Sequence, residues 1–230
     1  MKKIVAIPTL ALGVMSAGVQ AHEAGEWIVR VGATMVEPRE DSGPVTLNGT
    51  PLLLGGKGSQ LGVDASTQLG LTVNYMLSKT WSVELLAATP FRHDAMGTGA
   101  LAGLKIADAK QLPPTLSLIY HFPEIGKWQN YVGVGLNHTF FFSEEITGAA
   151  AATLGTLGLT GGSLSMDSST GASLQWGVDY HLDNDWLVNA SVRWIDIDTT
   201  ADIAFSNGSR LSADVEIDPL VYTLAVGFSF

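Results

Sequence analysis

The stretch LQWGVDYHLDNDWLVNASVRW at 174–194 decides the fold. On both sides of the short segment 183–185, apolar residues alternate with polar or small ones, which is typical of two β-strands joined by a tight turn. A three-residue turn places Leu182 opposite Trp186. Because opposite residues of an antiparallel pair share a face, apolar residues then meet along the whole hairpin. The sequence therefore predicts a hairpin with one apolar face and one mostly polar face.

The same two-residue period recurs along the chain, whereas helical periodicity is hard to find after residue 25. The alternating runs are 27–35, 66–77, 81–88, 115–122, 131–139, 173–182, 186–194 and 220–230. They predict an all-β fold built on eight strands.

Aromatic residues bound the apolar face, and they separate a soluble sandwich from a membrane barrel. A soluble sandwich shows its polar face to water, whereas an outer-membrane barrel carries aromatic girdles at two lipid interfaces. The bounding residues are Trp27, Tyr75, Trp81, Phe122, Tyr180, Trp186, Trp194 and Phe230. A tilted strand rises about 20 Å from Trp186 to Trp194, close to the apolar height of such barrels. We predict an eight-stranded antiparallel transmembrane β-barrel.

The connections between the runs alternate in length. The short connections are 78–80, 123–130 and 183–185, and the other side carries 38–64, 91–111, 143–169 and a tight tip at 206–208. Short periplasmic turns and long extracellular loops are the pattern of outer-membrane barrels, and an even strand number leaves both termini in the periplasm. A loop at 206–208 also pairs Trp194 with Leu220 and keeps both on the apolar face.

Composition and the first residues narrow the class further. A net charge of −10, from 12 Lys and Arg against 22 Asp and Glu, argues against a nucleic-acid partner, because phosphate neutralisation requires clustered cations. The absence of Cys excludes disulfide scaffolds, thiolate zinc sites and thiol nucleophiles. Two initial lysines, an apolar run at 4–19 and small residues up to Ala21 predict a cleaved signal peptide at 1–21, with 22–230 as one barrel domain.

Charged and amide side chains occupy inward positions of the predicted strands. They are Arg30, Asn74, Glu84, Gln175, Asp179 and Arg193. The interior of an eight-stranded barrel is wide enough only for side chains or one small ligand. We therefore interpret these residues as a polar plug rather than as the lining of a water-filled pore.

Proline residues interrupt two neighbouring strands near their external ends. Pro90 follows the third strand and Pro113-Pro114 precede the fourth, so ladder hydrogen bonds between these strands must fail there. Apolar residues near this weakened seam either line a route or simply pack the barrel end or face lipid. They are Leu86, Phe91, Ile119, Phe140 and Phe141.

Ordered segments over nearly the whole mature chain resemble the OmpW family of small outer-membrane barrels. They are WIVRVGATMVEP at 27–38, LGLTVNYM at 69–76, WSVELLAATPFRHD at 81–94, LPPTLSLIYHF at 112–122, YVGVGLNHTFFF at 131–142, RWIDIDTTA at 193–201 and DPLVYTLAVGFSF at 218–230. The resemblance implies uptake of small, mainly hydrophobic solutes into the upper barrel and their release sideways into the membrane. Pro90 in AATPF matches the family position linked to that exit, whereas the external loops depart most.

The chain ends on Phe230 in an amphipathic strand, which resembles the signal that the outer-membrane barrel assembly machinery recognises. The predicted partners are this machinery, small hydrophobic solutes, lipopolysaccharide and outer-membrane lipid. The predicted location is the outer membrane of a Gram-negative bacterium.

Four carboxylates lie opposite one another in the last hairpin. The register puts Asp198 opposite Glu216 and Asp196 opposite Asp218, on the outer face just beyond Trp194. Like charges directly opposite repel. Either water screens them, or a divalent cation shared with lipopolysaccharide phosphates binds them.

Catalysis is not predicted. His93 and Asp94 are a candidate base and orienting acid, but no Ser lies beside a His in a recognisable motif. No cofactor is predicted either. His22 and Glu23, at the expected mature N-terminus, are interpreted as solvated rather than as metal ligands.

The predicted barrel and its resemblance to the OmpW family together imply an outer-membrane channel for small hydrophobic or amphipathic molecules, which enter the upper barrel and leave laterally near Pro90. The alternative is a non-transporting structural or surface-interaction barrel that contacts lipopolysaccharide or other cells.

Overall fold

The computed structural model describes residues 22–39, 41–54 and 56–230, so the predicted signal peptide at 1–21 lies outside the described residues. The strands are β1 (Trp27–Glu37), β2 (Asp41–Ser42), β3 (Thr46–Leu47), β4 (Thr50–Pro51), β5 (Leu61–Val63), β6 (Ser66–Met76), β7 (Trp81–Ala88), β8 (Phe91–Gly97), β9 (Lys105–Leu112), β10 (Thr115–His121), β11 (Trp128–Ile146), β12 (Ser163–Met166), β13 (Ser169–His181), β14 (Trp186–Ile195), β15 (Asp198–Ala204), β16 (Arg210–Glu216) and β17 (Leu220–Ser229). The helices are a 3-10 turn at Gly99–Leu101 and α1 (Gly148–Thr156). Within the described ranges, no helix is long and apolar enough to cross a membrane.

Eight strands close into an antiparallel barrel in the order β1, β6, β7, β10, β11, β13, β14 and β17. The last of these pairs with β1, and the pairing of β10 with β11 completes the circle. Each of the eight alternating runs in the sequence corresponds to one of these strands. The predicted eight-stranded barrel is therefore confirmed.

The predicted register is also confirmed at both ends of the hairpins. The Leu182 N–H donates to the Trp186 carbonyl at 2.7 Å, as a three-residue turn requires. Farther up the barrel, Trp194 lies opposite Leu220 and Asp198 lies opposite Glu216. The register follows from facial matching, because a slip by one residue would turn every apolar side chain of a strand inward.

The barrel carries its polar residues inside and its apolar residues outside. Glu84 is 2% exposed, whereas Leu224 on the outer face is 63% exposed. Near one end, aromatic residues pair directly across strands, with ring centroids 4.6–5.3 Å apart. These pairs are Trp27–Tyr75, Trp81–Tyr120, Trp128–Tyr180 and Trp186–Phe228. They form an amphipathic girdle at one lipid interface.

We call the end that carries this girdle the turn end. It contains the short connections 77–80, 122–127 and 182–185, together with both ends of the described chain.

The opposite end continues into a tall extension, defined as β2–β5, β8, β9, β12, β15, β16, α1 and β11 beyond residue 139. Within it, β12, β15, β16, β3 and β4 form one sheet, while β5, β8 and β9 continue the barrel wall beside β11. The long connections are thus built largely of short strands. Buried Leu211, Ala213 and Val215 alternate with polar residues on β16, because one face of this strand covers an apolar core.

Candidate functional site

A network of buried charged and amide side chains crosses the barrel lumen. Arg30 Nε and Nη2 donate to the two carboxylate oxygens of Asp179 at 3.1 and 2.6 Å, and Arg30 Nη1 lies 3.5 Å from Glu84. Asn189 adds a bond to Asp179 at 2.8 Å. The Arg30 guanidinium also lies over the Tyr131 ring, 5.4 Å from its centroid. These contacts hold one cation between two walls of the barrel.

Glu84 joins the second half of the network. Its carboxylate accepts hydrogen bonds from Asn74 at 2.9 Å, from Gln175 at 3.0 Å and from Arg193 at 2.5 Å. All six residues predicted as a plug lie in this one network, and each is 7% exposed or less. They come from five strands, β1, β6, β7, β13 and β14. Two arginines balance two carboxylates, so the network as a whole carries no net charge.

Little empty space remains beside the plug. The cavity that Glu84, Arg193 and Leu86 help to line holds about 10 Å³, which is about the room that one water needs. Leu86 is 4% exposed and lies two residues beyond Glu84 on β7, so it marks the change from polar to apolar lumen.

An apolar cluster lies on the extension side of the plug, and we call it the upper cluster. Its buried members are Val36, Phe91, Ile195, Ile197, Val215, Ile217 and Val221. Leu61, Ala88 and Phe141 are partly buried and pack against them. Apolar side chains therefore fill the lumen on the extension side of the plug.

The extension encloses an apolar cavity of about 60 Å³ between its two sheets. Leu101, Ile106, Leu154, Ile203 and Leu211 are among the residues that line it. Leu61 also lines this cavity, and it packs against the upper cluster as well. The cavity and the upper cluster thus form one continuous apolar region.

An open cleft of about 490 Å³ lies on the other side of α1. Glu144 and Glu145 stand at this cleft, so it has a polar rim. Leu154 and Leu164 line both the cleft and the inner cavity. These two side chains are therefore part of the wall that separates the cavity from the cleft.

The barrel wall has a gap in its hydrogen-bond ladder next to the upper cluster. Pairing of β7 with β10 ends at Leu86 and Thr115, and pairing of β8 with β9 begins at Phe91 and Gln111. Among the described residues, 87–90 and 112–114 form no ladder pairs with each other. We call this gap the seam. It follows from the prolines on both sides, which lack an N–H to donate.

The other side of Pro90 is also weakly paired. The Thr89 N–H donates to the Leu69 carbonyl at 2.9 Å, and regular pairing of β8 with β5 resumes only at Val63 and Ala95. Pro90 itself is exposed. Pro90 thus lies between two interrupted ladders.

The residues predicted along a solute path do not all lie in one place. Pro90, Leu86, Phe91 and Phe141 lie together at the seam and the upper cluster. Ile119 is fully buried, but it lies opposite Ser82, nearer the turn end than Glu84. Phe140 is 48% exposed on the outer face, with its ring 4.4 Å from that of His138. Leu61, which sequence reasoning missed, carries no local signal because its role depends on contacts between distant elements.

Comparison with known proteins identifies the family. A sequence model of the OmpW family matches residues 23–230. The chain belongs to the OmpW family. It is 40% identical to outer membrane protein W of Escherichia coli strain K12 over the full length of both chains.

Solved structures agree with this assignment to the OmpW family. OprG from Pseudomonas aeruginosa superimposes with a TM-score of 0.82 at 39% identity, covering 92% of this chain and 99% of OprG. Outer membrane protein AlkL, solved in lipid bilayers, has a TM-score of 0.67 at 22% identity, covers 96% of both chains, and supports the fold alone. The relatives and the barrel fold place this OmpW-family protein in the outer membrane of a Gram-negative bacterium.

His93 and Asp94, the candidate base and orienting acid of this OmpW-family chain, are engaged elsewhere. Burial lowers the pKa of His93 in the extension. The neutral ring donates from Nδ1 to the Asp64 carbonyl at 2.6 Å and accepts at Nε2 from Gln111 at 2.9 Å. The Asp94 carboxylate instead lies 3.0 Å from the Lys105 ammonium. His93 therefore ties strands together, and Asp94 does not orient it.

Three of the four carboxylates considered as candidate cation ligands lie together. Ligand oxygens of Asp196, Asp198 and Asp218, which we call the acidic trio, lie within 4.8 Å of one another. Glu216 faces Asp198 in the register but is outside this group. Burial and the neighbouring carboxylates raise the pKa of Asp198. Exposed acidic groups are common without an ion, so this geometry alone assigns no ligand.

The interpretation of His22 as a solvated residue is wrong. His22 is 1% exposed, because the segment before β1 folds into the turn end of the barrel. There the Gly25 N–H donates to the Met76 carbonyl at 2.8 Å. Glu23 is exposed, as predicted.

Proposed function

We propose that this OmpW-family barrel takes small hydrophobic or amphipathic solutes into its extension and releases them laterally into the outer membrane at Pro90. One observation carries the proposal. Apolar contacts run from the cavity through Leu61 into the upper cluster, and this cluster meets the barrel wall at Phe91, beside the seam. The proposal includes no catalytic step.

The plug supports a lateral rather than an axial route. An apolar solute that moved toward the turn end would have to separate Arg30 from Asp179 and Arg193 from Glu84, all of them buried. Breaking a buried ion pair costs about 3–5 kcal/mol, because it leaves uncompensated charge in a low-dielectric site. The seam presents no such barrier.

Opening the wall at the seam breaks few hydrogen bonds. Each backbone hydrogen bond contributes about 1 kcal/mol net to stability, and the ladder between 87–90 and 112–114 is already absent. The strand bordering the seam carries the small side chains of Ala87 and Ala88. A solute in the upper cluster therefore meets the least resistance there.

Entry requires movement of α1. The cavity of about 60 Å³ is smaller than the roughly 300 Å³ typical of a small-molecule pocket. Only Ala150 and Leu154 of α1 are buried, so few contacts hold this helix. An outward shift of Leu154 joins the cavity to the 490 Å³ cleft that this residue also lines.

The proposal also specifies how the barrel is oriented in the outer membrane. We infer that the turn end faces the periplasm and that the extension faces the cell exterior, because short turns are periplasmic in such barrels. Lipopolysaccharide then surrounds the extension side of the apolar belt. The last strand, β17, together with Phe230 that follows it, is the element that we expect the assembly machinery to recognise.

Replacing Pro90 tests the lateral exit. In Pro90→Ala the regained N–H favours a paired wall, and one hydrogen bond of about 1–1.4 kcal/mol predicts about a five- to tenfold slower uptake. Uptake is measured as the rise in fluorescence of N-phenylnaphthylamine as it enters the membranes of cells that carry or lack the protein. Pro123→Ala, in the turn between β10 and β11, is the matched control and retains the wild-type rate.

Two outcomes contradict the proposal. Equal uptake in cells with and without the protein rejects transport and favours the non-transporting surface-interaction barrel. Uptake that depends on the protein but is unchanged in Pro90→Ala rejects the lateral exit at the seam.

A further inference from the structure

Three histidines meet at the turn end, outside the solute path. His22 precedes β1, His121 ends β10 and His181 ends β13. The His22 ring centroid lies 5.3 Å from that of His121 and 5.4 Å from that of His181. In the barrel order, β10 and β13 each lie three strands from β1, on opposite sides. The cluster therefore spans the lumen.

Hydrogen bonds fix the tautomer of His22. Its Nδ1 lies 3.2 Å from the Glu26 carboxylate, which accepts only, so Nδ1 carries the proton of the neutral ring. The lone pair is then on Nε2. This nitrogen is buried and has no hydrogen-bond partner among the described residues.

The tautomer of His121 follows from a relay of two bonds. The Ser82 hydroxyl donates to the Asn74 carbonyl oxygen at 3.1 Å, so it accepts from His121 Nε2 at 2.9 Å. The lone pair of His121 is on Nδ1. It too is buried without a partner in the part of the chain that the structure describes.

His181 is held in the same way. Its Nε2 lies 3.3 Å from the Gln129 amide oxygen and 3.4 Å from a Glu124 carboxylate oxygen. Both are acceptors, so Nε2 carries the proton and Nδ1 the lone pair. Each of the three imidazoles is thus held through one nitrogen and offers the other.

This arrangement is the one that metal-binding histidines adopt. Such a histidine donates its second N–H to a carboxylate, a carbonyl or another acceptor, which orients the ring. Zinc binds imidazole nitrogen at about 2 Å, so two rings on one tetrahedral ion have centroids about 5 Å apart. The separations of 5.3 and 5.4 Å around His22 match that geometry.

We propose that His22, His121 and His181 bind one divalent transition-metal ion at the turn end. The ligands are Nε2 of His22 and Nδ1 of the other two residues. Neutral imidazole suits zinc, nickel and copper, whereas calcium and magnesium prefer oxygen ligands. Among the described residues only the acidic trio brings three ligand atoms within 4.8 Å of one another, so at least one imidazole turns when the ion binds.

The ion would tie the segment before β1 to the opposite wall of the barrel. A metal that binds the folded state stabilises it, and here the stabilised contact is the closed turn end. The proposal is independent of solute transport, because the plug lies between this cluster and the upper cluster.

Zinc binding to the outer-membrane protein tests the site. The wild-type protein is extracted without a polyhistidine tag, which would itself bind the metal, and is dialysed against Zn²⁺ before the metal content per chain is measured. We expect one Zn²⁺ per chain, with at least tenfold weaker binding in both His22→Ala and His121→Ala. His138→Ala removes a histidine that bonds Thr170 instead, and it retains wild-type binding.

A spectroscopic measurement separates ligation from a structural effect. Co²⁺ bound to the wild-type site gives the visible bands of a nitrogen-ligated ion, and His22→Ala abolishes them. His22 precedes the first strand, so this variant decides the matter even where His121→Ala fails to fold.

Three results would overturn the proposal. The first is a wild-type metal content well below one Zn²⁺ per chain, which leaves a water as the partner of the two buried lone pairs. The second is undiminished binding in folded His22→Ala. The third is loss of binding in Asp198→Asn but not in His22→Ala, which assigns the ion to the acidic trio.

Discussion

At the scale of the residue, Glu84 is the centre of the lumen plug. It accepts hydrogen bonds from Asn74, Gln175 and Arg193 and lies 3.5 Å from Arg30, with only 2% of its surface exposed. A carboxylate in such a place is stable because several donors replace its lost hydration. Its removal leaves two guanidinium groups against the single carboxylate of Asp179.

We expect Glu84→Gln to lower the free energy of unfolding by about 3–5 kcal/mol, the cost of leaving a buried charge without its partner. Urea titration of the barrel in lipid vesicles measures it. Asp183→Asn makes the same chemical change at the exposed ion pair with Lys127 and is expected to cost about 0–1 kcal/mol. Equal losses in the two variants would show that the plug contributes nothing to stability.

At the scale of the element, the side chain of His93 holds β8 in addition to its ladder pairs with β5 and β9. The ring bonds the Asp64 carbonyl on one side and Gln111 of β9 on the other, so it links two neighbouring segments of the extension. Only the bond from Gln111 requires the neutral ring, because protonation converts the acceptor Nε2 into a donor facing the Gln111 amide group, whereas Nδ1 donates to the Asp64 carbonyl in both states. The stability of the extension is therefore linked to pH.

The sign of this pH dependence follows from the lowered pKa of His93. The contribution of His93 is complete above about pH 6.5, the value in the unfolded chain, and is lost as the pH falls below it. We expect the wild type to lose up to about 1.4 kcal/mol per pH unit relative to His93→Gln over that range. Urea unfolding between pH 7.5 and about pH 5 measures the difference. His138→Gln should follow the wild type, and parallel curves for wild type and His93→Gln would reject the linkage.

At the scale of the whole molecule, side chains fill the barrel lumen at one end, and the hydrogen-bond ladder of the wall is interrupted at one side. The plug and the histidine cluster fill the lumen toward the turn end, whereas the seam interrupts the wall beside the apolar upper cluster. Because the barrel has an even number of strands, both ends of the described chain lie at the turn end. For the proposed transport function, the orientation of the barrel in the membrane therefore decides whether solutes enter from outside the cell.

Epitope insertion tests this orientation. A short epitope after Asn207, at the tip between β15 and β16, is expected to bind antibody on intact cells. The same epitope after Asn184, in the turn between β13 and β14, should bind only after the outer membrane is permeabilised. The reversed pattern would place the turn end outside and would contradict the proposed direction of uptake.

The sequence by itself determined the eight strands, the register of the hairpins around 183–185 and 206–208, and the inward placement of the plug residues. Alternation with period two assigns each residue to one of two faces, and an antiparallel pair must match those faces, as Trp194 and Leu220 do. Both rules act between neighbours in sequence or across a short hairpin. Local pattern was therefore sufficient for the barrel.

Only the tertiary structure decided which residues meet across the lumen and above it. Leu61 connects the cavity to the upper cluster by contacting both. The burial of His22 depends on a barrel end that is formed by strands from the whole chain. The outward placement of Phe140 depends likewise on how β11 continues into the extension. Such contacts join residues far apart in sequence, and no local period encodes them, because they arise only when the barrel closes.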